Sequence, residues 1–279
     1  MLIDSISKMR QVLSNKNNIG FVPTMGALHE GHLSLIKTAR KHHEVVVVSI
    51  FVNPSQFAPH EDYDTYPRNI DKDYALAISA GADYVFSPSV FEIYGTGSLT
   101  HVIVDPTLTD ILCGATRPTH FKGVTTVVAL LINIIKPQKI YLGEKDAQQV
   151  IILKRMVKDL HMDLKVVTCP TIRDYDGLAL SSRNANLNIQ ERHEAVYLYQ
   201  SLLMIKKLYT LGELNVETLK KSFTEVLKNA TLAKIDYVEI LGYDDLQSMK
   251  TIEKKVLVAV AVFFGKTRLI DNIVLEGGE

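Results

Sequence analysis

Between residues 19 and 169 the chain alternates short β-branched runs with longer segments whose apolar positions recur at helical spacing. That is the texture of strands joined by crossover helices in a parallel sheet. The pattern predicts strands over residues 19–22, 45–51, 83–86, 139–142 and 164–168, and helices over 31–42, 69–80, 123–135 and 147–160. Val45-Val46-Val47-Val48 has no polar alternation, as a central strand covered on both faces requires, and Pro137 stops the third helix. The fold class expected is α/β: a Rossmann-like, doubly wound parallel sheet that places ligands beyond the carboxyl ends of its strands.

After Arg173 the texture changes. Residues 189–211 and 216–229 read as amphipathic helices joined through Gly212, and strand-like runs follow at 235–241, 256–264 and 268–275. A smaller C-terminal α+β domain is expected, with the boundary in the turn-forming stretch Arg173-Asp174-Tyr175-Asp176-Gly177. The division is drawn as residues 1–174 and 175–279.

Composition narrows the function classes. Lys+Arg 31 balances Asp+Glu 31 over 279 residues, whereas a protein that grips nucleic acid through its phosphates carries a basic excess. No nucleic-acid partner is expected. Cys113 and Cys169 lie far apart with no CxxC, so buried reduced thiols are expected in place of a disulfide framework or a zinc site. The start, Met1-Leu2-Ile3-Asp4-Ser5-Ile6-Ser7-Lys8, lacks the basic-then-apolar order of a signal peptide. The most apolar stretches, 45–52, 124–135 and 256–264, fall short of the ~18–20 residues of a membrane span. A cytoplasmic protein without membrane contact is the expectation.

Candidate chemistry concentrates where the first strand meets its helix, in Pro23-Thr24-Met25-Gly26-Ala27-Leu28-His29-Glu30-Gly31-His32. Glycines at a strand-to-helix turn let the backbone approach a ligand, and the helix N-terminus favours phosphate. Histidines three residues apart share one side of the first turn and can bond the same anion. Their spacing is one residue short of the zinc-binding HExxH pattern, and glycines serving only the turn are the bland alternative. Gly265-Lys266-Thr267 resembles the end of a P-loop, but Val260 stands where the first glycine belongs, and no GxGxxG follows the first strand.

Further polar groups follow other strand ends. Asn53 and Gln56 offer neutral amides for a small polar substrate. In Gly143-Glu144-Lys145-Asp146, Lys145 is placed to meet phosphate and Asp146 to orient it or hold magnesium, and Gln149 lies one turn on. Arg117, in Arg117-Pro118-Thr119-His120-Phe121, offers a further anion contact or simple loop chemistry. At the domain boundary, Leu180-Ser181-Ser182-Arg183-Asn184 reads as a phosphate clamp of hydroxyls and a guanidinium, or as a helix cap.

Taken together, in order along the chain, these segments resemble the pantothenate synthetases, the pantoate–β-alanine ligases of the HxGH nucleotidylyltransferase superfamily. The match includes Phe51-Val52-Asn53-Pro54, Gln56-Phe57, Tyr66-Pro67-Arg68 and Gln148-Gln149. The resemblance implies ATP-dependent condensation of (R)-pantoate with β-alanine to pantothenate, AMP and pyrophosphate through a pantoyl adenylate. It makes His29 and His32 the HxGH pair, with His32 the proton donor, and adds Lys145, Ser181, Ser182 and Arg183 as catalytic groups. ATP would be bound by Met25, Gly26, His29, His32, Gly143, Lys145, Asp146, Ile172, Leu180, Ser181, Ser182 and Arg183. Pantoate and β-alanine would meet Pro23, Thr24, Met25, Asn53, Gln56 and Gln149. Leu180 departs from the methionine of many members.

Mg2+ would enter as MgATP, carried mainly by the phosphates, with Asp73 the side chain considered beside them. A homodimer is implied, as is a C-terminal lid that shields the adenylate from water. The rival readings are another HxGH nucleotidylyltransferase, or an RNA-binding module on a synthetase-like fold, which the charge balance opposes.

Overall fold

The computed structural model describes residues 1–58, 61, 63–96 and 100–277. It divides into two compact units, Met1–Glu144 with Gln148–Pro170, and Lys145–Ala147 with Thr171–Glu279. The first unit carries a six-stranded sheet of β1 (Leu2–Ile3), β2 (Ile19–Thr24), β3 (Val45–Ile50), β4 (Tyr84–Phe86), β5 (Lys139–Gly143) and β6 (Lys165–Cys169). The order is β1-β4-β3-β2-β5-β6, and every pairing is parallel. The five expected strands all form, each within about two residues of its expected end. Two-residue β1 lies below the length at which alternation can be read.

Around the sheet run α1 (Ile6–Leu13), α2 (Glu30–His42), α3 (Ile70–Ser79), α4 (Val90–Tyr94), α5 (Pro106–Thr109), α6 (Cys113–Thr116), α7 (His120–Ile135) and α8 (Ala147–Asp159). Strand β3 is buried at every position. Val46 and Val48 join Val22, Val85 and α2 residues Leu33, Ile36 and Ala39 in one core cluster, and full burial of such a side chain contributes about 1.5–3 kcal/mol. Gly20 is required for packing: a β-carbon there would sit 2.6 Å from Cδ2 of His43.

The sheet parts on one side of β2. Pairing with β3 continues to Thr24↔Ile50, but pairing with β5 stops at Phe21↔Ile140. Pro23, which has no N–H to offer, lies beyond that last pair. The chain passes from β2 outward through β3 on one side and returns to β5 on the other, so the order reverses here. Such a switch point opens a crevice at the strands' carboxyl ends.

The second unit has an antiparallel sheet, β7 (Ala233–Gly242), β8 (Val256–Phe264) and β9 (Thr267–Leu275), in that order. Its core sets Val256, Val258, Val260 and Val262 of β8 against Leu198, Leu202, Ile205, Leu219 and Phe223. The single helix expected over 189–211 forms as α9 (Ile189–Glu194) and α10 (Val196–Thr210), followed by α11 (Val216–Leu227). Ala195 keeps helical angles, φ −60° and ψ −20°. The Leu198 N–H bonds the Ala195 carbonyl at 3.1 Å, so the interruption contains one tightened turn. Among the described residues no helix is long and apolar enough to cross a membrane.

Buried His43 gives the fold a pH signature. Burial pushes its imidazole below the ordinary value of 6.5, against an upward pull from the Asn18 backbone. The unfolded chain therefore binds this proton more readily than the fold. The resulting stability is fully present above about pH 6.5 and declines as pH falls below it toward the depressed native value. Urea unfolding between about pH 7.5 and about pH 5 should show this loss, and His43→Leu should flatten it. An equal slope in the variant would assign the pH dependence elsewhere.

Candidate active site

The loop leaving β2 is held from two sides. Buried Thr24 donates its hydroxyl to the Ser49 carbonyl at 2.6 Å and accepts the Gly26 N–H at 3.2 Å. The chain then turns through positive φ at Gly26 (86°) and Ala27 (50°). Asp73 fixes this turn: its Oδ2 accepts the Ala27 N–H at 2.9 Å and its Oδ1 the Leu28 N–H at 2.8 Å. A β-carbon at position 26 would stand 2.9 Å from Asp73 Oδ2. Asp73, considered above for magnesium, thus directs both oxygens to backbone amides.

The turn delivers His29 to the N-cap of α2. Its Nδ1 accepts the Gly31 N–H at 3.2 Å, while Nδ1 of His32 accepts the His29 N–H at 3.4 Å. This is a reciprocal capping box built from imidazoles. The rings lie 4.1 Å apart, tilted by 47°. Because Nδ1 is an acceptor in each, the neutral rings carry their protons on Nε2 and are donors there.

Beyond β3, Asn53, only 1% exposed, organises a cluster of amides. Its Nδ2 donates to the Gly123 carbonyl at 3.1 Å and to Gln56 Oε1 at 3.2 Å. Its Oδ1 accepts the Ser55 N–H, the Ser55 hydroxyl and the Tyr94 hydroxyl. Gln56 Nε2 turns to Met25 Sδ at 2.9 Å, linking the cluster to the β2 loop. Gly123 permits the approach, since a β-carbon there would collide with the Ser55 carbonyl.

Arg117 pairs with Glu61 through two 2.6 Å bonds. Burial raises the Glu61 pKa, but the Arg117 hydrogen bonds and charge outweigh it and leave the carboxyl below its ordinary value. His120 Nδ1 donates to the Gln56 carbonyl at 2.9 Å. The anion contact considered for Arg117 is therefore occupied by an internal carboxylate.

Of the adjacent glutamines, Gln148 is structural, bonding Leu108, Ile111 and Cys113. Gln149 is half-buried on α8, and Gly143 ends β5. The first unit thus brings together Thr24, Met25, Gly26, His29, His32, Asn53, Gln56 and Asp73, with Pro23 on the same strand end.

Lys145, Asp146, Ile172, Leu180, Ser181, Ser182 and Arg183 belong to the second unit. There the Leu180 N–H bonds the Ile172 carbonyl at 3.0 Å, bringing that pair together. Ser181 caps a short 3-10 turn by accepting the Arg183 N–H at 3.3 Å. Lys145 Nζ lies 3.9 Å from Asp146 Oδ1, and Asn272 Nδ2 holds the Lys145 carbonyl at 2.9 Å. Arg173 stacks 3.6 Å over Tyr199 and binds the buried Asp271 carboxylate with two hydrogen bonds. Tyr94, Asn272 and the Arg173–Asp271 pair carry no local sequence signal, since each acts on a partner distant in the chain.

The chain is similar to known proteins over nearly its whole length. Residues 1–274 match the family described as pantoate-beta-alanine ligase. The pantothenate synthetase of Clostridioides difficile is 51% identical over 280 residues, covering 99% of both chains. The crystal structure of the pantothenate synthetase of Thermus thermophilus superposes with a TM-score of 0.94 at 42% identity, covering 98% of each chain. A pantoate-beta-alanine ligase from Francisella tularensis, described as complexed with beta-gamma ATP and beta-alanine, gives 0.80 at 38% identity, covering 98% of this chain and 97% of that one.

The Asp73 clamp makes a direct prediction. Asp73→Ala leaves two backbone N–H groups without their acceptor and should cost about 2–3 kcal/mol in urea unfolding at unchanged m-value. Asp73→Asn retains one acceptor oxygen and should lose less. A wild-type midpoint in the alanine variant would show that the turn stands without the carboxylate.

Proposed function

The chain belongs to the pantoate–β-alanine ligase family, and from that premise we propose that it makes pantothenate in two steps, with the β2 loop and the α2 N-terminus handling the phosphates. The observation that carries the reading is the double-histidine cap, in which both imidazoles accept through Nδ1 at a helix N-terminus that follows the sheet's switch point. The reaction itself is ATP-dependent, AMP-forming amide synthesis.

In the first step the (R)-pantoate carboxylate attacks the α-phosphorus of MgATP. The bond to the bridging oxygen breaks, giving pantoyl adenylate and pyrophosphate. In the second, the β-alanine amine attacks the adenylate carbonyl carbon, loses a proton and expels AMP. The protein's part is to position reactants and meet developing negative charge. His29 and His32 donate to phosphate oxygens, with His32 the proton donor.

Family resemblance supports Lys145, Ser181, Ser182 and Arg183 as further phosphate-facing groups, and Met25, Gly26, Gly143, Asp146, Ile172 and Leu180 as ATP contacts. Gln56 and Gln149 suit the hydroxyl and carboxylate groups of pantoate, beside Pro23, Thr24 and Met25, while Asn53, expected as a third amide contact, is buried with both ends of its amide bonded and is assigned to holding Gln56. Magnesium enters with its substrate as MgATP, and Asp73 is assigned to shaping the loop. The resemblance also supports a cytoplasmic homodimer, which sedimentation velocity checks for oligomeric state.

Exchange of labelled pyrophosphate into ATP tests the first step. It should require pantoate and proceed without β-alanine; exchange indifferent to pantoate would favour a different nucleotidylyltransferase. Removing one charge-stabilising donor typically costs about 2.7–4 kcal/mol in the barrier. His32→Ala and Lys145→Ala should therefore each lower turnover at least about a hundredfold with the fold intact. Near-normal steady-state rates in either purified variant would remove that residue from the mechanism.

A further inference from the structure

We propose that Tyr94, at the end of α4, is a positioning residue for pantoate, acting through Asn53 on Gln56; this rests on the reading of Gln56 as a pantoate amide. The Tyr94 hydroxyl donates to Asn53 Oδ1 at 2.6 Å, its ring meets Phe51 edge-on at 6.0 Å, and Ser55 Oγ lies 3.2 Å from the same hydroxyl.

The direction of the chain of amides follows from groups whose roles are fixed. The Ser55 backbone N–H can only donate and the Gly123 carbonyl can only accept, so Asn53 must present Oδ1 to Ser55 and Nδ2 to Gly123. Its Nδ2 then also donates to Gln56 Oε1. With that oxygen engaged, Gln56 turns its Nε2 donors to the side where Met25 lies.

Gln56 therefore greets a ligand as a donor and selects an acceptor, such as a carboxylate or hydroxyl oxygen. Tyr94 is the side chain from outside the Asn53–Gln56 segment whose hydroxyl holds the Asn53 oxygen in place. Asn53 sits almost fully buried, so loss of that donor is not made good by bulk water. Burial also raises the Tyr94 pKa, against the lowering effect of its bonds to Ser55 and Asn53, which keeps the phenol protonated as a donor.

The test is Tyr94→Phe in the full chain, which keeps the ring against Phe51 and removes the hydroxyl, read by pantoate-dependent pyrophosphate exchange. The KM for pantoate should rise about fivefold or more, with the KM for ATP and the maximal rate changed less than about twofold. In a Gln56→Ala background the same substitution should change the pantoate KM by less than about twofold, because the path through Gln56 is gone.

An unchanged pantoate KM, or a rise shared equally by ATP together with a lowered melting temperature, would overturn the proposal. So would an undiminished effect in the Gln56→Ala background. If wild-type protein shows no pantoate-dependent exchange, the functional reading falls and this proposal with it, an outcome separate from normal wild-type exchange with an unaffected variant. Should Tyr94→Phe fail to fold, Ser55→Ala, which removes the other hydroxyl on Asn53 Oδ1, should raise the pantoate KM in the same direction. No change there would overturn the proposal equally.

Discussion

The candidate site depends on one carboxylate. Asp73, brought in by α3, accepts consecutive N–H groups from Ala27 and Leu28, and so secures a turn that passes through the left-handed region at a residue bearing a side chain. That conformation is uncommon outside glycine, and left-handed backbone costs on the order of 1–2 kcal/mol per residue. Paired hydrogen bonds to an ionised group are of the size needed to offset it. Once the turn is fixed, the entry of α2, the placement of His29 at its cap and the pairing of the two imidazoles all follow.

The neutral total of the chain takes on a local meaning. Many of its ionic groups are consumed internally: Arg117 by Glu61, Arg173 by Asp271, and Arg192 by Asp174 and Asp176. At the start of α2 in the first unit, by contrast, the cap is built from imidazoles and backbone N–H groups at a helix end. The field of such a helix end is local, whereas a nucleic acid calls for a broad basic face.

What the sequence disclosed tracks the range over which each interaction acts. The valine run of β3 and the helical spacing of α2 and α7 are written in neighbouring residues, so those elements were readable almost to their ends. The glycine and histidine spacing of 26–32 was readable for the same reason, as was the presence of amides at Asn53 and Gln56. Periodicity had no purchase on β1, which borrows its register from β4. Nor did it show that Asp73 serves a loop 45 residues away, or that Tyr94 reaches back 41 residues to Asn53. Such contacts exist only once the sheet has folded. The candidate residues were legible as residue types at their spacing, while the groups that orient them were not.

The imidazole cap separates two duties within each ring. On each, Nδ1 faces the polypeptide and helps to start a helix, and Nε2 is the nitrogen that the proposed chemistry uses. Asparagine places its amide about where Nδ1 stands, and glutamine places its own about where Nε2 stands. Architecture and proposed reactivity at His29 and His32 are thus addressable one at a time, so the scaffold around this helix start can be kept while the atoms proposed to react are exchanged.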